Sequence, residues 1–305
     1  MSLKHLLKIA DLTPEEAAQL LADAKAFKEG SRQADLRGKT LALLFEKPSL
    51  RTRVSFDVAM YQLGGHCLYL SPAEVGLGGR ESVQDVALVL SRFVDAIAAR
   101  TFSQDTVEQI ARYGSVPVIN ALSDDEHPCQ GLADFQTLQE AKGELKGQKL
   151  AFIGDGNNCA TSLLYLAAML GVDFAIASPK GYELPARHVA RAQEVAARSG
   201  ARIDLVVDPA EAAKDADAIY TDVWTSMGQE SEQADRKKVF ASYQINEALM
   251  KVAKKDAIIL HPLPAHHGEE VAEGIIYHRQ SRVFDQAENR VHAQKAVLAA
   301  VLQGR

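Results

Sequence analysis

Three cations, a serine and a threonine lie within the seven residues Lys47–Arg53. This segment follows a predicted strand and begins a predicted helix, where backbone N–H groups without helical partners form an anion site. The planar guanidinium of Arg51 can hold two phosphate oxygens at once. Cations at a helix N-terminus oppose the helix dipole unless an anion joins them. The segment therefore predicts a phosphate site, although it lacks the Gly-x-x-x-x-Gly-Lys-Ser/Thr pattern of a Walker loop.

Polar side chains also follow the later predicted strands. Arg100 comes just after an apolar strand, and His127 and Gln130 follow another, where both can donate hydrogen bonds to a carbonyl oxygen. In the second half of the chain, Asn158 and Asp222 follow strands, and an aspartate there can pair with an ammonium group. Because open α/β sheets bind ligands at the carboxyl edge of their strands, the pattern predicts two small substrates, one phosphate-bearing and one amino-bearing.

Two further segments resemble cofactor sites only in part. Gly154–Asn158 resembles a dinucleotide loop, but Cys159 stands at the third glycine position and no acidic residue ends the next predicted strand. His261–Glu270 is rich in histidine and glutamate but lacks the His-Glu-x-x-His spacing, and its prolines interrupt the helix that a metal pair needs. The sequence therefore predicts neither a nicotinamide cofactor nor a bound metal.

The elements that position these residues are predicted from alternating apolar and amphipathic runs. Strands are predicted over Thr40–Phe45, His66–Leu70, Ala96–Ala99, Val116–Ala121, Lys149–Ile153, Asp173–Ser178, Ala218–Thr221 and Ala257–His261. Helices are predicted from Thr13 to Gly30, over Ser49–Leu63, from Ser82 onward and over Ala287–Leu302. The alternation predicts an α/β fold of two doubly wound parallel-sheet domains with the active site in the cleft between them. We place the first domain at residues 1–140, joined by the last helix at about 287–305, and the second at 141–286.

Composition narrows the class of protein. The chain has 305 residues, of which 47% are hydrophobic and 24% charged, so it can form about two domain cores. Its 34 Lys and Arg against 40 Asp and Glu give a net charge of −6, which offers no electrostatic reason to bind nucleic acid or an anionic membrane. Three widely spaced cysteines fit no disulfide framework, and no apolar run is long enough for a membrane span. We expect a cytoplasmic protein.

The motifs together resemble the aspartate/ornithine carbamoyltransferase family, in its ornithine branch, over nearly the whole chain. The family's phosphate loop corresponds to Lys47–Arg53, its His-Pro-x-Gln to His127–Gln130 and its Asp-x-Trp-x-Ser-Met-Gly-Gln-Glu to Asp222–Glu230. Its His-x-Leu-Pro and Ala-Glu-Asn-Arg motifs correspond to His261–Pro264 and Ala287–Arg290. The resemblance implies transfer of the carbamoyl group of carbamoyl phosphate to the δ-amine of ornithine, giving citrulline and phosphate. It also implies no metal or organic cofactor, and a homotrimer or an assembly of trimers.

The resemblance assigns a role to each matching residue. The implied catalytic residues are Arg51, Arg100, His127 and Arg290. The implied contacts of carbamoyl phosphate are Ser49, Leu50, Arg51, Thr52, Arg100, His127, Gln130 and, from a neighbouring subunit, Glu74. The implied contacts of ornithine are Asn158, Asp222, Ser226, Met227, Pro262 and Leu263. Donors around the carbonyl oxygen would stabilise the negative charge that develops there as the amine attacks.

Three positions depart from the family pattern. Leu50 replaces a threonine of the phosphate loop, Glu74 stands nearest to a glutamine that the neighbouring subunit usually contributes, and Pro262 replaces the cysteine of the ornithine branch. Proline can neither form a side-chain hydrogen bond nor transfer a proton. The alternative function is therefore a carbamoyltransferase for another amine, such as putrescine or an acylated ornithine. A third hypothesis, a catalytically silent binding protein, is disfavoured by the intact cationic residues.

Overall fold

The chain forms two compact units. A computed structural model describes residues 2–77, 79–226 and 228–303, except for the side chain of Glu230. The first unit combines Met1–Ala133 with Glu288–Arg305, and the second is Asp134–Ala287. Each unit is built on one parallel sheet. This confirms the predicted fold of two parallel-sheet α/β domains.

Strands and helices alternate along both units. The strands are β1 (Thr40–Phe45), β2 (His66–Leu70), β3 (Ala96–Arg100), β4 (Val118–Leu122), β5 (Lys149–Ile153), β6 (Asp173–Ala177), β7 (Ile203–Val206), β8 (Ala218–Tyr220) and β9 (Ile258–Leu260). The α-helices are α1 (Pro14–Lys28), α2 (Leu50–Gln62), α3 (Pro72–Val75), α4 (Val83–Leu90), α5 (Gln104–Tyr113), α6 (Pro128–Lys142), α7 (Asn158–Leu170), α8 (Ala186–Ser199), α9 (Pro209–Ala213), α10 (Gln233–Val239), α11 (Glu247–Met250) and α12 (Val283–Leu302). Each predicted strand forms within two residues of its predicted bounds.

The first sheet has the strand order β2-β1-β3-β4. Its central strand β1 is a continuous apolar run that is buried from Leu41 to Phe45, as is typical of a parallel strand covered on both faces. The chain leaves β1 toward β2 on one side and leaves β3 toward β4 on the other, so the order reverses between β1 and β3. Open α/β sheets bind ligands at this reversal, and the segment Lys47–Arg53 and Arg100 stand at the two strand ends that flank it.

The second sheet has the strand order β7-β6-β5-β8-β9, and its order reverses between β5 and β8. The segments that follow these two strands carry Asn158 and Asp222. The edge strand β7 is the one strand that the sequence analysis missed. It is four residues long and partly exposed, with aspartate at its second position, so it lacks the apolar run that identified the other strands.

The last helix links the two units. It begins at Val283 rather than at the predicted Ala287, and its residues from Glu288 onward cluster with the first unit. There the amide of Leu3 donates to the carbonyl of Ala300 at 2.9 Å. The consequence for function is that Arg290 belongs to the same unit as the phosphate segment, although the sequence separates them widely.

The helix α7 is buried along most of its length. α7 has 13 residues and is buried from Cys159 to Met169, so it lacks the polar stripe of a surface helix. Within the described ranges, no helix is both long and apolar enough to cross a membrane.

A buried carboxylate holds the N-terminal segment on the first sheet. Glu126 is fully buried, and its carboxylate accepts hydrogen bonds from the amide of Ile9 at 2.7 Å and the amide of Ala10 at 3.3 Å. Its own main chain belongs to the turn after β4, where the amide of Ser123 donates to the Glu126 carbonyl at 3.0 Å. The residue therefore ties the start of the chain to the turn that precedes His127.

Replacing Glu126 by alanine is expected to lower the free energy of unfolding by about 2–5 kcal/mol, because two buried N–H donors lose a charged acceptor. Urea unfolding measures the change. Glu194 is exposed on α8, so Glu194→Ala serves as the control and is expected to change the free energy by about 0.5 kcal/mol or less. An unchanged urea midpoint for Glu126→Ala would contradict the assigned role.

Candidate active site

The phosphate segment is fixed by the cap of α2. Ser49 is the N-cap residue, and its hydroxyl oxygen accepts the amide proton of Thr52 at 3.2 Å while its O–H donates to Thr52 Oγ1 at 3.0 Å. The first turn of α2 contains no acidic residue, and Arg51 and Arg53 lie in it instead. The helix start is thus positive from its dipole and from its side chains, which favours an anion.

Arg290 reaches this helix start from α12. Its Nη2 donates to Thr52 Oγ1 at 2.6 Å, and both side chains are buried. The structure therefore brings Arg290 together with Ser49 and Thr52, whereas the sequence had joined Arg290 to this site only through the family resemblance. A buried guanidinium needs several acceptors, and an anion bound at the start of α2 would supply more.

His127 is an uncharged hydrogen-bond donor near two positively charged arginines. It lies directly before α6, is 5% exposed, and has buried Gln130 one turn further along. Burial lowers the pKa of His127 well below its ordinary value, and the positive charges of Arg290 and Arg100 lower it further. At neutral pH the imidazole therefore carries no charge, while the two arginines do. This combination suits a dianion together with an adjacent carbonyl oxygen.

Two other cations of the phosphate segment, Lys47 and Arg53, lie against aromatic rings. The ammonium of Lys47 lies 4.4 Å from the centre of the Phe102 ring, and the guanidinium of Arg53 lies 3.9 Å from that of Tyr69. Arg51 is half-buried, whereas the side chain of Leu50 is 74% exposed. The Leu50 side chain thus contributes little to this unit, so the substitution of the usual threonine can act only through the backbone.

Glu74 is engaged within its own short helix. Its carboxylate accepts the amide proton of Ser71 at 2.7 Å, and this hydrogen bond holds the pKa of the Glu74 carboxyl below its usual value. The group is therefore a carboxylate at neutral pH and is fully exposed within this chain. A contact between Glu74 and a phosphate on another subunit stays a prediction.

The second unit presents an aspartate that two neutral donors hold in place. Asn157 caps α7, and its Nδ2 donates to Asp222 Oδ2 at 2.9 Å. The amide of Val223 donates to Asp222 Oδ1 at 2.8 Å. Neither donor is charged, so these two contacts orient the half-buried carboxylate without pairing it with a cation. Asn158, the first residue of α7, accepts the amide proton of Cys159 through Oδ1 at 2.9 Å.

A close backbone contact explains the glycines in the loop after β5. A Cβ atom added to Gly156 would lie 2.3 Å from the nitrogen of Leu184 and 2.5 Å from the carbonyl carbon of Glu183. The amide of Gly156 donates to the carbonyl of Tyr182 at 2.8 Å. Gly156 is therefore required by packing against this neighbouring segment, and Gly154 is favoured by its φ of +143°. A nucleotide is not needed to explain the Gly-x-Gly pattern.

Arg236, which the sequence analysis missed, holds the loop after β8. It is 3% exposed, its Nε donates to the carbonyl of Trp224 at 2.5 Å, and its Nη2 pairs with the carboxylate of Asp155. Its guanidinium also lies over the rings of Tyr182 and Phe240. Burial raises the pKa of Asp155 to about 6, although Arg236 opposes the shift. The loop that carries Asp222 is thus fixed at one end to the loop that carries Asn157. A charged run such as Gln233–Val239 indicates a solvated helix, so no sequence signal identified Arg236.

The other predicted ornithine contacts lie on two loops of this unit. The amide of Ser226 donates to Gln229 Oε1 at 3.0 Å, and Met227 lies outside the described residues. Pro262 is buried, and Leu263 adopts a φ of +60°, a left-handed conformation that is costly for a residue with a Cβ atom. The two predicted residues therefore belong to a strained turn after β9.

One group of metal-ligating side chains lies near this turn. Atoms of His266, Glu269 and Glu270 lie within 4.8 Å of one another. The ammonium of Lys237 pairs with Glu269 Oε1 at 2.7 Å and would oppose a cation there. We therefore assign no metal to this group.

The pKa of His127 leads to a prediction about stability and pH. Because the folded protein binds a proton at this residue less readily than the unfolded chain, stability is lost as the pH falls below the ordinary histidine pKa near 6.5. The slope is expected to be up to about 1.4 kcal/mol per pH unit. Urea unfolding at a series of pH values between 5 and 8 is expected to show this loss in the wild type and less of it in His127→Gln. The control is His66→Gln, because His66 is exposed on β2. An equal slope in the wild type, His127→Gln and His66→Gln would refute the assignment.

Comparison with known proteins agrees with this geometry. Residues 4–140 match the carbamoyl-P binding domain of aspartate/ornithine carbamoyltransferase, and residues 146–301 match its Asp/Orn binding domain. An ornithine carbamoyltransferase of Anoxybacillus flavithermus is 54% identical over 303 residues, which are 98% of this chain and 96% of the relative. An anabolic ornithine carbamoyltransferase of Pyrococcus furiosus is 52% identical and covers 99% of this chain and 97% of its own. The solved structure of ornithine carbamoyltransferase from Pyrococcus furiosus matches with a TM-score of 0.96 at 51% identity, over 100% of this chain and 98% of that one. The chain belongs to the aspartate/ornithine carbamoyltransferase family.

Proposed function

We propose that the chain catalyses transfer of the carbamoyl group from carbamoyl phosphate to the δ-amine of L-ornithine, giving L-citrulline and phosphate in arginine metabolism. It is a carbamoyltransferase. The observation that carries this function is the match at about half identity, over nearly the full chain, to relatives named ornithine carbamoyltransferase. The aspartate of the loop after β8 supports the choice of ornithine, because it offers negative charge to an amino group.

The first unit supplies the groups for carbamoyl phosphate. We assign the phosphate to the start of α2, where Ser49, Leu50, Arg51 and Thr52 provide N–H groups, hydroxyls and a guanidinium. Arg290 supports this site through its hydrogen bond to Thr52. A phosphate carrying two negative charges would be attracted by the positive charges of this segment. Holding the phosphate there positions the neighbouring carbonyl carbon for attack.

Arg100, His127 and Gln130 are assigned to the carbonyl end of the same substrate. When the amine nitrogen attacks the carbonyl carbon, negative charge develops on the carbonyl oxygen, and donors already aimed at it lower the barrier. The bond from carbon to the phosphate oxygen then breaks, and phosphate leaves with the electron pair. The attacking amine loses one proton, and the leaving phosphate gains one, so the products are citrulline and hydrogen phosphate. A neutral His127 can donate its N–H to the oxygen without acting as an acid.

The second unit supplies the groups for ornithine. We assign the α-ammonium to Asp222, whose carboxylate Asn157 and Val223 hold in place. Asn158, Ser226, Met227, Pro262 and Leu263 are assigned to the rest of the amino acid. With the α-ammonium bound, the δ-amine remains free to react as an uncharged nucleophile.

Pro262 raised the alternative of another amine substrate. The named relatives favour ornithine over putrescine or an acylated ornithine. Asp222 agrees with this choice, because an acylated α-amine would carry no charge for it to bind. The residue at position 262 is accordingly assigned to the lining of the ornithine site rather than to proton transfer.

The assembly, the domain limits and the location remain proposals. We propose a homotrimer or an assembly of trimers, with Glu74 facing the carbamoyl phosphate site of a neighbouring subunit. We propose that residues 1–140 bind carbamoyl phosphate, that residues 141–286 bind ornithine and that the protein acts in the cytoplasm, with no nucleic-acid or membrane partner and no cofactor.

A citrulline assay tests the function and the phosphate site together. The wild type is expected to form citrulline from carbamoyl phosphate and ornithine. Arg51→Ala is expected to lower kcat/KM by about 10²–10⁴-fold, because two charge-assisted hydrogen bonds to phosphate are lost.

Arg53→Ala is the matched control, since Arg53 lies on the same helix turn but stacks on Tyr69. It is expected to keep kcat/KM within about tenfold of the wild type, as removal of one partly exposed cation–π contact would allow. Absence of citrulline with the wild type would reject the function. Equal losses in the two variants would reject the phosphate role of Arg51.

The cysteines lead to a prediction about thiol reagents. Burial raises the pKa of Cys67 to about 12 and that of Cys129 to about 12, and Cys159 is also buried. Because the thiolate is the reactive form, citrulline synthesis is expected to persist after incubation with iodoacetamide at neutral pH. Mass spectrometry of the urea-unfolded protein, in which the reagent should reach all three cysteines, is the control. Rapid inactivation of the folded enzyme would show that a reactive thiol serves the reaction.

A further inference from the structure

The turn after β9 contains a buried histidine–carboxylate pair that the roles assigned above do not use. His261 is 1% exposed and Glu270 is fully buried. His261 Nε2 lies 3.2 Å from Glu270 Oε1, and the amide of Leu263 donates to His261 Nδ1 at 2.9 Å. The imidazole therefore lies between a carboxylate on one side and the main chain of the strained residue on the other.

These contacts define which ring nitrogen carries the proton. The amide of Leu263 can only donate, so Nδ1 must accept and carries no proton. The single proton of a neutral ring is then on Nε2, from which it is donated to Glu270. The carboxylate thus selects the tautomer in which the other nitrogen can accept the Leu263 amide proton, as a carboxylate behind a histidine does in many sites.

Further hydrogen bonds fix both His261 and Glu270. The amide of His261 donates to Gln286 Oε1 at 2.8 Å, and Gln286 Nε2 donates to Asp134 Oδ1 at 2.6 Å. The amide of His266 donates to Glu270 Oε1 at 2.6 Å, and the carbonyl of Glu270 accepts the amide proton of Ile245 at 2.8 Å. The pair is therefore a fixed support and not a mobile side-chain contact.

The support acts on a backbone that would otherwise relax. Leu263 has a φ of +60°, which L-residues other than glycine adopt only when their surroundings impose it. Within the described residues, the hydrogen bond to His261 is the contact that fixes the Leu263 amide in that conformation. Strain of this kind, held by buried partners, is typical of residues that contact a ligand.

We propose that His261 and Glu270 are positioning residues that hold Pro262 and Leu263 in the conformation that receives ornithine. This inference rests on the proposed function, because the role of these two residues toward ornithine is assigned there. Neither His261 nor Glu270 contacts a reacting atom. Their effect is expected on the substrate bound by the second unit and not on the one bound by the first.

Steady-state kinetics of the full-length protein with both substrates test the proposal. Glu270→Ala is expected to raise KM for ornithine by about tenfold or more, because the imidazole of His261 and the amide of His266 lose their acceptor and the turn loses its support. KM for carbamoyl phosphate is expected to stay within about twofold, because uniform damage to the protein would move both values. Glu269→Ala is the matched control, since Glu269 is the adjacent carboxylate and pairs only with Lys237 among the described residues.

A pair of His261 variants separates positioning from packing. The side-chain oxygen introduced by His261→Asn can accept the amide proton two residues ahead, whereas the side chain introduced by His261→Leu has similar size and no acceptor. His261→Asn is therefore expected to keep KM for ornithine within about threefold and His261→Leu to raise it by about tenfold or more. Equal values in the two variants, or equal changes in both substrates' KM, would overturn the proposal.

The test remains decisive if a variant does not fold. Glu270→Gln retains an acceptor oxygen for both donors, so it and His261→Asn are both expected to stay folded and to bind ornithine within about threefold of the wild type. A tenfold rise of KM for ornithine in either one would overturn the proposal even without the alanine and leucine variants. A wild type that makes no citrulline would instead reject the proposed function, so the two failures are distinguishable.

Discussion

The structure of the first unit depends on keeping several positive charges together in a buried place. Arg100 and Arg290 are each at most 5% exposed, and both lower the pKa of His127. Buried cations need polar partners, and the fold supplies some of them locally. It leaves His127 uncharged and provides a hydroxyl of Thr52 for Arg290. A phosphate bearing two negative charges, as proposed for this unit, would add negative charge beside these cations, so ligand binding is expected to stabilise the folded unit.

The second unit instead holds one carboxylate, that of Asp222, in a fixed orientation. Asp222 receives hydrogen bonds only from neutral groups among the described residues, whereas the nearby Asp155 is paired with Arg236. The guanidinium therefore supports the loop without neutralising the carboxylate that is assigned to the substrate. Two aspartates that lie close together thus differ in their partners: Asp155 is paired with a cation of the protein, and Asp222 is the one that we propose for the ligand.

Sequence patterns predicted the strands well because most of them are central and apolar. β1 and β5 were recognised from continuous apolar runs, and the residues after them gave the two candidate sites. β7 was missed because an edge strand with one exposed face carries little apolar signal. The helix from Ser49 followed from the local sequence, but the contact between Thr52 and Arg290 could not, because it joins residues 238 positions apart. Arg236 and Glu270 were not recognised because nothing in a sequence shows that a charged side chain is buried.

Gly156 has a consequence for how short motifs are interpreted. Its hydrogen atom faces a neighbouring backbone at a separation that no larger residue tolerates, so packing alone is sufficient to require a glycine at this position of the pattern. A search with the first two glycines of the dinucleotide pattern alone would retrieve this chain for reasons of geometry. The acidic residue at the end of the following strand is therefore the more informative position when oxidoreductases are sought among transferases of similar architecture.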